Sequence, residues 1–469
     1  MGLPTLREQV CLLLGLAAGT ALTLMAQSLR GKRGRQGKTD SPPHDAKPQN
    51  TLALARRVTA CKPLPIKVIA AEVSAKVLEG KKIVNMSQGV PCLPIFEESA
   101  RAMTELIDGG RLPYSAVPGI NSVREACAHF VNDAYGLPAR FAPEHVIVTA
   151  GGIQACHLAL GLVLERPDDV VLATVPAYPL YQMEAAYYGA TFAPMAVGDG
   201  RAAPTPQALV EAFEQHRQAG RQVRAVILCA PNNPTGAVLS SEEAQALAAV
   251  LEAEMTTRGG QFIVLLDEVY IGIESGAHVS LLQAASPALA RRICLVLSAS
   301  KGLGAMPGAR AAWVTCADPA LVLHMAKLQS CGSGNASTVS QVGLGAALDH
   351  CRSSPRVLAH VRDYYLARTR KVAEGINALG RKHGMPLPLC AAPAATFYVW
   401  ADFSQARGVA NDKLIFERLL DLGVAVIPGS AFCMAAERKL VRLSCAQDSF
   451  AAIDLALSCI DIALGEWVA

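Results

Sequence analysis

The feature that most constrains the fold is a set of short apolar runs that alternate with helical stretches. Most of these runs are apolar throughout, which is typical of parallel strands that helices cover on both faces. We therefore predict an α/β fold in which a mostly parallel sheet lies between helices. The predicted strands span residues 145–149, 170–175, 224–230, 262–267, 293–298 and 311–315.

The last two predicted strands should pair differently from the others. Only about a dozen residues separate 293–298 from 311–315, which is too few for a helical crossover between parallel strands. We therefore expect this pair to run antiparallel, so that the sheet contains one antiparallel strand.

The pattern changes after residue 345. A long helix over 357–379 is followed by short strands at 396–401 and 424–427. We predict a smaller α+β domain made of residues 346–469 together with an N-terminal part, residues 51–110. Residues 111–345 would form the large domain, and residues 1–50 a hydrophobic segment and a basic linker.

Composition supports a large folded protein and disfavours several kinds of partner. Of the 469 residues, 51% are hydrophobic and 17% are charged, which suits two domains with well-buried cores. The net charge is +4, and no long basic stripe with interleaved aromatics indicates nucleic-acid binding. The 14 cysteines form no CxxC pair and no zinc-type spacing, so we predict no metal site and a reducing compartment.

Several short motifs lie where predicted strands end or helices begin. Loops at the carboxyl ends of parallel strands share one edge, where open α/β sheets bind ligands. In the loop 298–310, two serine hydroxyls and the guanidinium of Arg310 surround Lys301, which suits a site where a phosphate lies beside an amine. Cationic and desolvating surroundings make a lysine nucleophilic towards carbonyl groups. The motifs are TAGG at 149–152, NNPTG at 232–236, DEVY at 267–270, SASK at 298–301 with Arg310, and LVRLS at 440–444.

Together and in this order, these motifs resemble those of the class I and II aminotransferases, pyridoxal-phosphate enzymes of fold type I. The resemblance runs from about residue 62 to the end of the chain. It implies a homodimer, with the active site at the subunit interface, that moves an amino group from an L-amino acid to a 2-oxo acid. A carbon–sulfur lyase, or an elimination enzyme like aminocyclopropane-carboxylate synthase, shares the same residues and stays as the alternative.

The resemblance assigns catalytic roles to Lys301, Asp267 and Tyr270. Lys301 would hold pyridoxal 5'-phosphate as an aldimine and would move a proton at the substrate Cα. Asp267 would keep the pyridine nitrogen protonated, which makes the ring an electron sink. Tyr270 and Asn233 would hydrogen-bond the phenolic oxygen of the cofactor.

The remaining cofactor contacts combine a helix start with side chains. Backbone N–H groups at a helix N-terminus and an arginine both suit a phosphate. The resemblance adds Tyr114, lent by the neighbouring subunit, to the phosphate site, and Tyr178 to the ring face. The predicted cofactor-binding residues are Gly151, Gly152, Ile153, Tyr178, Asn233, Asp267, Tyr270, Ser298, Ser300, Lys301, Arg310 and Tyr114.

For the substrate, we predict that Arg442, Asn233 and Gly89 make the contacts. Arg442 suits the α-carboxylate because its planar guanidinium can bind a carboxylate through two hydrogen bonds. Gly89 resembles a substrate loop in which glycine permits close backbone approach. Residues 321–344 offer only Lys327 and His324 as cations for a second carboxylate. We therefore expect a neutral or aromatic donor in preference to aspartate or glutamate.

The N-terminal segment suggests a membrane location. Residues 10–29 are uncharged and long enough to span a bilayer, and basic residues follow at once. We predict a membrane anchor that leaves the catalytic body in the cytosol. A cleaved signal peptide, a mitochondrial presequence and a soluble cytoplasmic protein are the alternatives.

Overall fold

The computed structural model describes residues 52–137, 140–197, 201–276, 278–386, 388–447 and 449–468. Its largest sheet has seven strands in the order β2-β8-β7-β6-β5-β3-β4. The strands are β1 (Val84–Asn85), β2 (Val146–Thr149), β3 (Asp169–Val175), β4 (Thr191–Ala196), β5 (Gln222–Cys229), β6 (Ile263–Asp267), β7 (Ile293–Ser298), β8 (Ala312–Thr315), β9 (Tyr398–Asp402), β10 (Val424–Ala425), β11 (Ile427–Pro428) and β12 (Leu440–Ser444).

The sheet is mostly parallel, as predicted. The parallel pairs are β4 with β3, β3 with β5, β5 with β6 and β6 with β7. Strand β8 runs antiparallel to both β7 and β2, so the predicted antiparallel pair is confirmed. Strand β4 was not predicted from the sequence. It lies at the sheet edge, and its half-exposed residues do not form the continuous apolar run that marks the inner strands.

Helices cover both faces of this sheet. Because side chains alternate along a strand, successive residues of β7 enter different cores. Leu295 and Leu297 pack in one cluster of buried side chains, and Cys294 and Val296 pack in another. The run in β7 is therefore apolar throughout because both of its faces are buried, as the sequence pattern predicted.

Local sequence sets where several helices begin. In the helix Ser241–Thr256, the Ser240 hydroxyl accepts a hydrogen bond from the Glu243 backbone N–H, and the Glu243 carboxylate accepts one from the Ser240 N–H. This reciprocal capping satisfies two backbone donors that the first turn leaves without partners. The α-helices are Arg56–Ala60, Pro65–Leu78, Glu97–Asp108, Asn121–Ala134, Gly152–Gly161, Leu180–Tyr188, Pro206–Gln218, Ser241–Thr256, Leu281–Ala284, Pro287–Ala290, Pro319–Gly332, Thr338–Ser353, Arg356–Lys382, Asp412–Leu422 and Phe450–Val468.

A second core lies around two small sheets, β11-β12-β9 and β1-β10. The long helix predicted at 357–379 spans Arg356–Lys382, and the strand predicted at 424–427 divides into β10 and β11, which belong to different sheets. Ile69 and Val73 of the helix Pro65–Leu78 pack in this core.

The helix Glu97–Asp108 packs elsewhere, against the helix Thr338–Ser353. There the Ser99 hydroxyl donates to the Gly343 carbonyl over 2.9 Å. The proposed domain boundaries at residues 110 and 345 stay a prediction.

Within the described ranges, none of the helices combines the length and the apolar character needed to cross a membrane. The segment 10–29, for which a membrane anchor is predicted, lies outside these ranges.

We predict that Trp313→Ala destabilises the protein strongly. Trp313 is fully buried in β8 and meets the Phe130 ring edge-on at 6.1 Å between centroids. Removing a buried aromatic side chain costs about 3–5 kcal/mol. Urea unfolding at a fixed protein concentration measures the loss. Leu455→Ala, at a side chain that is 56% exposed, is the control and should change the free energy of unfolding by less than about 0.5 kcal/mol. Equal losses for the two variants would contradict the role given to Trp313.

Candidate active site

A cavity of about 530 Å³ lies where β5, β6 and β7 end. Cys229, Asp267 and Ser298, the last residues of these strands, line it, and residues next to the second core close it from the other side. Most of the site residues predicted from the sequence therefore meet in one place. Those that line the cavity are Gly89, Gly152, Ile153, Tyr178, Asn233, Asp267, Tyr270, Ser298, Ser300, Lys301, Arg310 and Arg442.

Lys301 lies at the centre of this set. Its amine donates a hydrogen bond to the carbonyl of Gly89 and lies 5.5 Å from the centroid of the Phe397 ring. Burial, together with the positive charges of Arg442 and Arg310, lowers the pKa of Lys301 to about 7, while the Asp267 carboxylate acts in the opposite direction. About half of the amine is therefore neutral, and so nucleophilic, at pH 7.

Asp267 is buried and is held by a tyrosine. The Tyr181 hydroxyl donates to the Asp267 carboxylate over 2.6 Å, and Tyr181 itself is 1% exposed. Burial raises the pKa of Asp267, while the hydrogen bond from Tyr181 and the nearby Lys301 act in the opposite direction. Within the described residues, no cation lies within ion-pairing distance of this carboxylate. A cationic group placed against it would favour its ionised form.

Arg442 is a buried cation whose hydrogen bonds go to neutral groups. It is 2% exposed, and its two terminal nitrogens donate to the Asn233 side-chain oxygen over 3.0 Å and to the Ser87 carbonyl over 2.6 Å. The guanidinium also lies 4.2 Å from the centroid of the Tyr398 ring. In the part of the chain that the structure describes, no carboxylate pairs with it. Because a buried unpaired charge is costly, this arrangement suits an anionic ligand.

The two neighbours of Arg442 in β12 point to the opposite face of the strand, as the alternating pattern predicted. Val441 and Leu443 pack in the second core, while Arg442 and Ser444 lie on the other face of β12. The Ser444 hydroxyl donates to the carbonyl of Gln88 over 2.8 Å, which fixes the loop next to Gly89.

A cluster of donors lies at the start of the helix Gly152–Gly161. Gly151 has a φ of +87°, and a Cβ there would lie 2.1 Å from a terminal nitrogen of Arg310, so only glycine fits. The Gly151 N–H donates to the Thr149 carbonyl over 2.8 Å. The next two residues, Gly152 and Ile153, form the start of the helix and line the cavity.

Two serines complete this corner of the cavity. The Ser298 hydroxyl donates to the Ala311 carbonyl over 3.2 Å and accepts from the Ser300 N–H over 3.0 Å. The Ser300 hydroxyl is buried and has no hydrogen-bond partner in the described chain. Backbone N–H groups at a helix start, an arginine and a buried hydroxyl are groups that suit an anionic ligand.

Tyr270 and Gly89 meet at a third residue, Tyr398. The Tyr270 and Tyr398 hydroxyls lie 3.0 Å apart, and burial raises the pKa of both. A Cβ on Gly89 would clash with the Tyr398 hydroxyl, so glycine is required here by packing, and its contact with substrate stays a prediction.

The other two predicted tyrosines differ in position. Tyr178 lines the cavity, and burial raises its pKa to about 12. Tyr114 is 95% exposed on the single chain and does not line the cavity. Its predicted role depends on a second subunit.

Sequence reasoning missed Tyr181, Tyr398 and Lys67, all of which line the cavity. Tyr181 lies three residues after Tyr178, and its backbone N–H donates to the Tyr178 carbonyl over 3.2 Å in the turn that opens the helix Leu180–Tyr188. Tyr398 and Lys67 lie 97 and 234 residues from Lys301 in the numbering, and no local motif marks either of them.

We predict that the amine of Lys301 reacts with small aldehydes at neutral pH in the cofactor-free protein. With a pKa of about 7, the neutral fraction rises from roughly a tenth at pH 6 to roughly nine tenths at pH 8. The rate of modification should rise about tenfold over this range and then level off. Peptide mapping after reductive alkylation measures the rate at Lys301, with Nα-acetyl-lysine as the reference. A rate that keeps rising tenfold per pH unit above pH 9 would exclude the lowered pKa.

Comparison with known proteins identifies the family. The family model for aminotransferase class I and II matches residues 81–460. An aspartate/prephenate aminotransferase of Thermus thermophilus is 28% identical over 381 residues, which cover 81% of this chain and 91% of that protein. A 1-aminocyclopropane-1-carboxylate synthase of Oryza sativa subsp. japonica is 27% identical over 363 residues, 74% of this chain and 64% of that protein.

Solved structures agree in fold. The aspartate aminotransferase of Thermus thermophilus with maleate has a TM-score of 0.77 at 27% identity, covering 88% of this chain and all of that one. That of Rhizobium meliloti also has a TM-score of 0.77, at 25% identity, covering 89% of this chain and all of that one. The fold is that of the fold type I pyridoxal-phosphate enzymes, as expected. The chain belongs to the class I and II aminotransferases, transaminases that depend on pyridoxal 5'-phosphate.

Proposed function

We propose that transfer of an amino group from an L-amino acid to a 2-oxo acid takes place in the cavity around Lys301. The observation that carries this proposal is the surroundings of the Lys301 amine. Burial and the charges of Arg442 and Arg310 lower its pKa to about 7. A neutral lysine between two cations suits a site that binds anionic reactants beside a nucleophilic amine.

The cavity residues fit pyridoxal 5'-phosphate. The anion site of Arg310, Ser300 and the helix start at Gly152 would hold the phosphate, since Ser300 has a buried hydroxyl without a partner. Asp267, a buried carboxylate, would face the ring nitrogen, and Asn233 and Tyr270 would lie near the phenolic oxygen. The cofactor, when bound, supplies an aldehyde that bonds the amino group and a ring that accepts electrons released at Cα.

The protein's own groups would then carry out distinct tasks. Lys301 would take the proton from the substrate Cα, because its lowered pKa leaves a large neutral fraction near pH 7 and the residue lines the cavity. Arg442 would bind the α-carboxylate through two parallel hydrogen bonds, which orients the Cα–H bond towards Lys301. Tyr181 would act as a positioning residue, since its hydrogen bond fixes the Asp267 carboxylate.

A second subunit would complete the site. Aminotransferases of this family are usually homodimers. The 95% exposure of Tyr114 supports the proposal that its hydroxyl contributes to the phosphate site of a partner subunit. Residues 111–345 would then form the cofactor-binding domain.

The names of the relatives guide the first donors to assay. Those cited above are named for aspartate and prephenate transamination and for 1-aminocyclopropane-1-carboxylate synthesis. A screen of amino donors against pyruvate and 2-oxoglutarate separates the two reactions. Transamination yields a new amino acid and a new 2-oxo acid in equal amounts, whereas elimination consumes the donor without converting the acceptor.

We predict that borohydride reduction of the holoenzyme attaches the cofactor to Lys301. Peptide mapping should find the label there, and Lys301→Ala should lower turnover by roughly 10³-fold or more, because proton transfer is lost. Lys327→Ala is the matched control, since this exposed lysine does not line the cavity. A label on any other lysine would refute the assignment.

The proposed membrane anchor is a separate question. It is supported by the uncharged apolar composition of residues 10–29 and by the basic residues that follow. We predict that the full-length chain stays with membranes during carbonate extraction and that a chain without residues 1–50 does not. Release of the full-length chain, or a shortened form protected inside mitochondria, would refute the anchor.

A further inference from the structure

The cavity around Lys301 contains more positive charge than an ordinary amino acid and the cofactor need. Three cationic side chains, Lys67, Arg310 and Arg442, line it beside the Lys301 amine, while Asp267 is the one carboxylate among the described lining residues. The proposed function uses two of these cations, Arg310 for the phosphate and Arg442 for the α-carboxylate. Lys67 has no task in that scheme.

Lys67 lies in the first turn of the helix Pro65–Leu78. Ile66 and Ala70 of the same helix also line the cavity, so this helix forms one of its walls. Lys67 belongs to no ion pair among the residues that the structure describes, and its side chain is exposed. Its charge nevertheless reaches the site, because it contributes to lowering the pKa of Lys301.

The helix itself adds to the same field. Its N-terminus lies at the cavity, and a helix N-terminus carries a partial positive charge. Two sources of positive potential, the Lys67 ammonium and the helix start, therefore act on one wall of the cavity. No acidic side chain among the lining residues offsets them on this wall, since Asp267 lies at the end of β6.

We propose that Lys67 determines substrate specificity by binding a second carboxylate, carried on the side chain of the amino donor. This inference rests on the proposed function, in which Arg442 takes the α-carboxylate. The preferred donors are then amino acids with an acidic side chain, and the preferred acceptors are the corresponding 2-oxo diacids. An unpaired cation at the wall of the cavity lowers the free energy of a bound dianion more than that of a monoanion.

This inference reverses the expectation of a neutral or aromatic donor. That expectation rested on the lack of a suitable cation in residues 321–344. In the structure, His324 and Lys327 of that stretch are exposed, lie near each other, and do not line the cavity. The cation comes instead from Lys67, which lies 234 residues before Lys301 in the chain.

The test compares ligands that differ only in the second carboxylate. Isothermal titration of the holoenzyme measures the affinity for succinate and for butyrate, which have equal carbon counts. Lys67→Met removes the charge and keeps the length of the side chain. We expect it to lower the succinate-to-butyrate affinity ratio about tenfold, which corresponds to about 1.4 kcal/mol. Lys76→Met, on the same helix but paired with Glu79 at 3.2 Å, is the control and should leave the ratio unchanged.

Kinetics provides a second measurement. The ratio of kcat/KM for aspartate over asparagine should fall about tenfold in Lys67→Met and further in Lys67→Glu, which reverses the charge. High salt should reduce the ratio of the parent enzyme, because Lys67 is exposed to solvent. An unchanged ratio in Lys67→Met, or a parent enzyme without preference for succinate, would overturn the proposal. Neither result would touch the proposed function, which fails only if borohydride does not label Lys301 or no donor is transaminated.

Discussion

The central sheet is buried on both faces, and this constraint determines where chemistry can occur. Side chains along β5, β6 and β7 enter apolar cores, so polar groups can be accommodated only where the strands end. The carboxyl ends of parallel strands lie at one edge, and Asp267 and Ser298 therefore meet there. The position of the cavity therefore follows from the burial of the sheet, as is general for open α/β sheets.

The unpaired charges in the cavity indicate which ligands it can bind. Among the described residues, Arg442 is almost completely buried with only neutral partners, and Asp267 is buried with no cation in ion-pairing distance. A buried charge without a counter-charge is costly, and a ligand group of opposite sign would offset that cost. Stability has thus been lost at positions where a zwitterionic cofactor and carboxylate substrates would restore it. This is the pattern expected of a binding site rather than of a structural ion-pair network.

The sequence allowed prediction of the features that depend on short-range order. The apolar runs predicted six strands of the large sheet, and the short connection between β7 and β8 predicted their antiparallel pairing. Lys301 and Asp267 were found because Asp267 ends a strand and Lys301 lies three residues after the end of the next one, each within a recognisable short motif. Strand β4 was missed because an edge strand is exposed on one side and need not be apolar throughout. Lys67 and Tyr398 were missed because packing between distant segments, and no local pattern, brings them to the cavity.

The antiparallel pairing of β7 and β8 has a consequence for the geometry of the site. Strand β7 ends at the ligand-binding edge with Ser298, and β8 starts at that same edge, where Ala312 is the register partner of Ser298. The loop between them therefore begins and ends at the same edge, with Lys301 near its β7 end and Arg310 near its β8 end. A parallel β8 would have to begin at the opposite edge, and its preceding arginine would lie a full strand length away. The register between β7 and β8 thus sets the separation of the Lys301 amine and the Arg310 guanidinium. This spacing should tolerate a sequence change within the loop better than a shift of one strand along the other.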